Sequence, residues 1–549
     1  MAGIKYIWIL SLACLVISCG QNMVKADFII HNAKVYSVDE DFNVFESVVI
    51  KDGKILDLGT SKDMLDKYQV DDIIDANGKP VYPGFIDAHC HFYGYGLGKL
   101  TYANLNGTAS FDEIVEILRK HNEVNDPQWI LGRGWDQNDW ENTSMPDKSL
   151  LDGLFDDKPV LLIRIDGHAA LLNQKALDVM EFDSETVIDG GELIERDGEL
   201  SGLLLENAVD SVRHTVPQLS REQKERALLI SQGDCFQYGL TTVSDAGLKK
   251  ETIELIDSMH KDGVLKMQIY AMLEPSDENL KSFVQNGPYI TDRLNVRSIK
   301  LYADGALGSR GACMHEPYSD DPHNSGFIIN SEDFYNRVCS IALSNGYQVN
   351  THAIGDKGNS MMLHIYGDYL KEKNDLRWRI EHAQIVNPED RSLFSKYSII
   401  PSVQATHATS DMYWAEERVG EQRMDGAYAY KSLLKQNGWL ANGTDFPIEH
   451  ISPLYTFYAA TARKDLKGWP KTGFRVKEAL TREEALRSIT IWAAKAGFEE
   501  TGKGSLEIGK KADLVILDKD LMNIPLEEIP DLMVSMTLIA GERVFSHPD

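Results

Sequence analysis

The chain has 549 residues, 43% of them hydrophobic and 26% charged, with 84 acidic against 56 basic side chains and a formal net charge of −28. That balance argues against nucleic acid and anionic membrane surfaces as partners, because both are bound through basic patches. The expected partner is a small-molecule substrate, with a homodimer allowed; length alone suggests three or four domains, a spacing that barrels routinely exceed.

The first 22 residues, MAGIKYIWILSLACLVISCGQN, carry one early cation, Lys5, then an apolar run from about Tyr6 to Ile17, then Ser18-Cys19. The run is too short to span a bilayer comfortably and has the length of a secretory h-region. Small Ser18 before Cys19 resembles a bacterial lipoprotein processing site, with Val16 in place of the commoner leucine. Residues 1–22 are therefore expected to be a lipoprotein-type signal peptide and tether. Membrane contact would come only through the lipidated N terminus, at the cell envelope, facing the periplasm or the exterior. Beyond Cys14 and Cys19 of the leader, Cys90, Cys235, Cys313 and Cys339 are scattered and form no disulfide framework. They read as buried thiols.

From Asp27 to Tyr82 the pattern is β-like. DFIIHNAKVYSV and SVVIKDGKILDLG alternate apolar and polar residues, and Asp52-Gly53 sits where a tight hairpin turn is wanted. Residues 499–549 answer them with GSLEIGKKADLVILD and MVSMTLIAGERVF. Each terminal segment is too small to close a core alone, so the two are expected to form one small β-sandwich domain.

Residues 83–498 alternate strand and helix. Short apolar runs fall at 83–90, 240–245, 266–272, 297–302, 347–352, 378–382, 399–404 and 439–444, with helical stretches such as 222–238 and 358–373 between them. Eight such units predict an α/β chain folded as a (β/α)8 TIM-type barrel. The long gap after the first run predicts a large insertion, at about 95–235. It follows a strand on the catalytic side and is expected to cover the mouth.

In such a barrel the chemistry sits at the C-terminal ends of the strands. His89 and His91 close the first run; two residues apart on a strand, they share a face, and Cys90 points away. Lys300 lies in the fourth run, His352 ends the fifth, His382 ends the sixth, and Asp445 follows the eighth in NGTDFP. Four imidazoles and a carboxylate at one mouth suit a zinc-like divalent ion, and are enough for two. Lys300 cannot ligate as an ammonium. Made neutral by such surroundings it could become a carbamate, a bidentate anion able to bridge two metals. The other reading is a lysine that stays neutral, is hydrogen-bonded, or pairs with Asp304.

The ordered motifs PGFIDAHCH, SIKLYADGALGSRGA, NTHAIGD, RIEHAQ, PSVQATHATSD and GTDFP, with GRGWDQNDW and GHAALLN in the insertion, resemble the amidohydrolase superfamily. Within it they are most similar to the extended branch of YtcJ-type proteins and N-substituted formamide deformylases. The resemblance implies a barrel holding one or two divalent metals, usually zinc, with His89, His91, Lys300, His352, His382 and Asp445 as ligands. It implies hydrolysis of a carbon–nitrogen bond, other than a peptide bond, by a metal-activated hydroxide. Asp445 would be general acid and base as well as ligand. Trp135, His168 and His407 are candidates for the substrate pocket, and Arg310 could meet an anionic group. A deaminase or cyclic-amide hydrolase on the same scaffold, and a lipid-tethered binding protein without catalysis, are the alternatives.

Overall fold

The structure is a computed structural model describing residues 23–548, apart from 138–139, 165–168, 189–190, 214 and 309. The leader with Cys19, and His168, therefore lie outside the described residues. No helix among the described residues is long and apolar enough to cross a membrane.

Each of the eight apolar runs supplies one parallel strand of the central sheet. In chain order these are β1 (Phe85–Cys90), β2 (Leu240–Leu248), β3 (Gln268–Leu273), β4 (Leu294–Tyr302), β5 (Gln348–Ala353), β6 (Arg379–His382), β7 (Ile400–Val403) and β8 (Ala441–Asn442). Their spatial order is the same as their chain order. Helices cross between them, for example Arg221–Gln237, whose start is fixed by a capping box between Ser220 and Gln223. This is the expected (β/α)8 barrel.

Closure between β8 and β1 is made just beyond the strand ends. The Asp445 N–H donates to the His89 carbonyl at 2.8 Å, and the His91 N–H donates to the Phe446 carbonyl at 2.9 Å. Gly443 permits this approach, because a Cβ there would meet the His89 nitrogen at 2.5 Å. Asp87 completes the seam. Its carboxylate accepts from the Thr444 N–H at 3.0 Å, the Thr444 hydroxyl at 2.7 Å and the His89 N–H at 3.0 Å. Closure and ligand placement are thus one structural event.

The two termini interleave. Phe28–His31, Ser47–Lys51, Lys54–Gly59 and Asp72–Asp75 form a four-stranded sheet. The turn between the second and third of these has positive φ at both Asp52 (51°) and Gly53 (73°), the geometry that suits the strands' twist. In the facing six-stranded sheet, Leu514–Leu517 runs antiparallel to Pro80–Pro83, with Leu514 opposite Pro83. Ile30, Val48 and Ile50 from one end of the chain share a core with Leu506, Leu514, Ile516 and Leu538 from the other. This is the expected sandwich.

The insertion after β1 has its own mixed sheet, with Tyr102–Asn104, Ile130–Trp135, Val160–Arg164, Ala169–Leu172, Glu199–Glu206 and Gly191–Arg196 in that order. Alternation sorts its apolar residues to two faces. Ile130, Leu162 and Leu171 pack with Ile114 and Leu118 on one, and Leu131, Leu161 and Leu172 pack with Leu177 and Val209 on the other. Trp135 belongs to the first of these cores.

Candidate metal centre

Side chains from the ends of β1, β4, β5 and β6, from the helix after β7 (Ala405–Asp411) and from the β8 loop meet at the C-terminal mouth. His89 and His91 offer nitrogens to Asp445 Oδ1, with Nε2 at 3.7 and 3.4 Å. His407 offers its Nε2 to Asp445 Oδ2 at 3.6 Å. One donor atom from each of His89, His91 and Asp445 fits within 4.8 Å, and the same holds for His382, His407 and Asp445. Asp445 is shared by both groups. His352 joins the ring, with its centroid 4.6 Å from that of His382, and Lys300 places Nζ 3.1 Å from His89 Nε2.

Two of these residues depend on unusual backbone. His382 has φ 71° and Asp445 φ 63°, both left-handed values that L residues other than Asn and Asp rarely adopt. On a regular strand, period-2 alternation would point Glu381 inward and send His382 outward. The left-handed step at His382 turns the imidazole back into the mouth, so β6 supplies two inward groups in a row.

Burial decides the protonation of the ring. It pushes His89 and His382 well below the ordinary imidazole value, helped by the charge on Lys300 for His89 and by His352 for His382, and it takes His352 down to about 3. His89, His352 and His382 are thus neutral, the form that binds a metal. Burial also lowers Lys300 to about 8, against the pull of Glu381 and Asp445. For Asp445 burial favours the neutral acid, but the neighbouring His91, His89, His382 and His407 outweigh it and hold the carboxyl well below the usual range. Three buried polar atoms here, Asp445 Oδ1, His407 Nε2 and His382 Nδ1, have no hydrogen-bond partner. Orphaned atoms at this depth are costly unless a ligand takes them. A neutral, nitrogen-rich donor set around one carboxylate fits a zinc-like ion.

Four other carboxylates bear on the mouth. Glu381 is fully buried and binds His89 Nδ1 at 2.7 Å. Sequence reasoning missed it, although RIEH places a carboxylate on the inward face one residue before a strand-end histidine. Asp304 is no partner for Lys300, because its oxygens accept from the backbone N–H groups of Cys313, Ile354 and Gly355 at 2.8–3.0 Å. Asp411, in the cleft wall, accepts from Gln384 and Tyr428. Asp245, near Lys300 and His91 in charge terms, accepts from the Tyr93 N–H. Cys90 faces away from the cluster, its Sγ donating to the Ser244 carbonyl.

The cleft above the cluster holds about 400 Å³, and its wall includes His407, Tyr302, Trp414, Ile354 and Leu307. Two expectations for the substrate pocket need correction. Trp135 is 1% exposed, donates its indole N–H to the Leu162 carbonyl at 3.0 Å and stacks with Trp140. It packs the insertion rather than a substrate, because a register shift between Arg133 and Trp135, with Gly134 at φ 104°, breaks the alternation and turns the indole into the core that holds Ile130. Arg310 is held by Asp320 through both Nε and Nη2, at 3.1 and 2.7 Å, so its fork is already occupied. Nor does any described residue of the insertion line this cleft; the wall comes from the barrel's own loops.

Comparison with known proteins agrees with this geometry. A family model described as the amidohydrolase family matches residues 72–545. The chain is 30% identical to YtcJ of Bacillus subtilis over 527 residues, 94% of this chain and 98% of that one. It is 25% identical to N-substituted formamide deformylase of Arthrobacter pascens over 543 residues, covering 94% and 97%. A crystal structure of an uncharacterized metal-dependent hydrolase from Pyrococcus horikoshii superposes with a TM-score of 0.76 at 28% identity, covering 91% of this chain and 99% of that one. Matched along nearly its whole described length and carrying the strand-end histidines in the same barrel, the chain belongs to the amidohydrolase family.

Proposed function

We propose that the protein is a metal-dependent hydrolase that cleaves a carbon–nitrogen bond of amide type in a small molecule. The observation that carries this reading is the convergence of two donor groups on Asp445, with buried atoms in them that have no hydrogen-bond partner. His89, His91, His352, His382 and Asp445 would hold one or two divalent ions, zinc first among the candidates, with Lys300 as an additional ligand if carboxylated. Such an ion supplies Lewis acidity, bringing water's pKa near 7 and polarising the scissile carbonyl.

The chain's own residues do the rest. Asp445, ionised at neutral pH, takes a proton from the attacking water and delivers it to the departing nitrogen, which leaves as an amine. Lys300, lowered to about 8, is partly neutral near that pH. Neutral Nζ can add to the carbon of carbon dioxide and lose a proton, giving a carbamate with two oxygens. Apart from the donor cluster the wall is mainly apolar, with Asp411 and Glu449 beside it and, among its described residues, no lysine or arginine other than Lys300. That lining favours neutral or cationic substrates with an apolar body over carboxylates.

Chelation should abolish hydrolysis of a panel of N-substituted amides, and zinc should restore it. Full activity in demonstrably metal-free protein would sink the reading. Release of ammonia instead of an organic amine would favour the deaminase alternative, and zinc binding with no turnover across the panel would favour a binding protein. We further propose that Cys19 is acylated and tethers the enzyme to the cell envelope. Cys19→Ser should then release it from membranes; retention of the variant there would exclude the tether.

A further inference from the structure

The barrel interior beneath the mouth holds a cation and an anion that the hydrolytic reading does not use. Arg379 and Glu381 are two apart on β6, share its inward face, and are both wholly buried. Arg379 Nη1 lies 3.7 Å from Glu381 Oε1 and donates to the Ala88 carbonyl of β1 at 3.1 Å. Its guanidinium also stands over the Tyr270 ring of β3, 5.2 Å from the centroid. The arginine is thus fixed to three strands. Above it, the other oxygen of Glu381 reaches across the barrel to His89 Nδ1 at 2.7 Å.

His89 has two ring nitrogens and both are engaged. Nε2 stands 3.1 Å from Lys300 Nζ, and an ammonium there can only donate, so Nε2 carries a lone pair. In the neutral ring Nδ1 then carries the proton and donates it to Glu381. This tautomer turns an acceptor nitrogen toward Asp445 and the other histidines. The opposite tautomer would set a lone pair against the Glu381 carboxylate and point an N–H at the cluster. Among the described residues no other histidine of the ring has a side-chain carboxylate within 3 Å, so His89 is the one held from below.

We propose that Glu381, seated on Arg379, is a positioning residue: it holds His89 in the tautomer and orientation that present Nε2 to the metal cluster. The pair touches neither substrate nor cleft; it acts through His89. Carboxylates in this relation to a metal-binding histidine fix its ring and raise its basicity, and removing one typically costs 10–100-fold in metal affinity. Arg379 has a separate part. It balances the buried carboxylate, and its hydrogen bond to β1 and its place over β3 hold the guanidinium beneath Glu381.

The inference rests on the metal reading, and its test separates the two. Zinc affinity of the metal-stripped full-length protein is measured by competition with a chromophoric chelator, alongside thermal melting. Failure of the wild type to bind zinc would remove the metal reading itself. With wild-type binding established, Glu381→Gln should weaken zinc 10–100-fold, and Glu381→Asp should recover part of that loss. Because Glu381→Gln leaves Arg379 without its counter-ion, Arg379→Met combined with Glu381→Gln provides a charge-balanced control, and it should show the same loss of affinity. Zinc affinity within twofold of wild type in either folded variant would overturn the proposal. So would failure of both variants to fold, which would make the pair structural only.

Discussion

Two carboxylates, Asp445 buried in the barrel mouth and Asp520 partly buried in the terminal β-sandwich, are treated by the fold in opposite ways. Asp520 is satisfied on all sides. It accepts from Lys34 Nζ at 2.7 Å, Asn523 Nδ2 at 2.7 Å, the Tyr36 and Tyr82 hydroxyls at 2.9 and 3.0 Å, and the Met522 N–H at 3.0 Å. Asp445 has three imidazoles 3.4–3.7 Å away, a left-handed backbone and an orphaned oxygen. The first arrangement ties the N-terminal strands to the C-terminal segment and leaves nothing for a ligand. The second keeps its bonding capacity unspent, at a cost in stability, which is how a site is told apart from a structural network.

The contrast is broken most directly at Asp445. Asp445→Asn preserves shape but removes the base, so turnover on a responsive amide should fall by a factor of roughly 100 or more while the melting temperature stays near wild type. Unchanged turnover would place Asp445 with Asp520, as a structural group. At Lys300 the expected sign of the stability effect is unusual. Burial takes it from 10.5 to about 8, so below pH 8 both folded and unfolded chains are protonated and the penalty is complete. Between 8 and 10.5 the unfolded chain holds more protons and stability rises with pH; above 10.5 the difference is gone. Lys300→Met should therefore stabilise the metal-free protein at pH 7, on the order of 2–3 kcal/mol by linkage, with the gain fading by pH 10.5. Denaturant unfolding across that range measures it, and a destabilised variant at pH 7 would show that Lys300 is satisfied after all.

Asp520 sharpens the comparison from the other side. Burial alone would raise its carboxyl, but Lys34, Asn523 and Tyr36 outweigh burial and hold it at about 2, below its ordinary 3.8. That stabilisation is present above pH 3.8 and is lost as pH falls through 2. Asp520→Asn should cost roughly 1–2 kcal/mol at pH 7, after allowance for the partly exposed Lys34, and should leave turnover unchanged. A loss of turnover larger than the loss of folded protein would couple the sandwich to the mouth. The smallest expected effect is at Arg310. Paired with Asp320 and outside the cleft wall, Arg310→Gln should change KM for an anionic amide by less than about twofold, whereas a tenfold rise would return it to the pocket.

Much of this was legible in the linear chain. Eight apolar runs became eight strands, Asp52-Gly53 became the turn it spells, and His89 and His91 share a strand end because alternation is a local property. The two terminal segments pair because neither could cover its apolar face alone. Trp135 could not be placed in the same way. An aromatic in GRGW reads alike whether its strand turns it toward a cleft or into a core, and only the insertion's sheet settles which.

The amino-acid order by itself determined the period-2 faces, the turns and the positions of the ligating side chains, because these depend on residues within a few steps of one another. Only the closed barrel decided which groups meet. Glu381 is one residue from His382 in the chain, yet it bonds His89, 292 positions away. His382 faces inward where it and Ala383 both take left-handed φ, 71° and 41°, which no neighbouring residue type demands. Arg310, free in the sequence, is taken by Asp320 once its loop folds. Such contacts depend on where the eighth strand closes on the first, and that is a property of the whole sheet rather than of any segment.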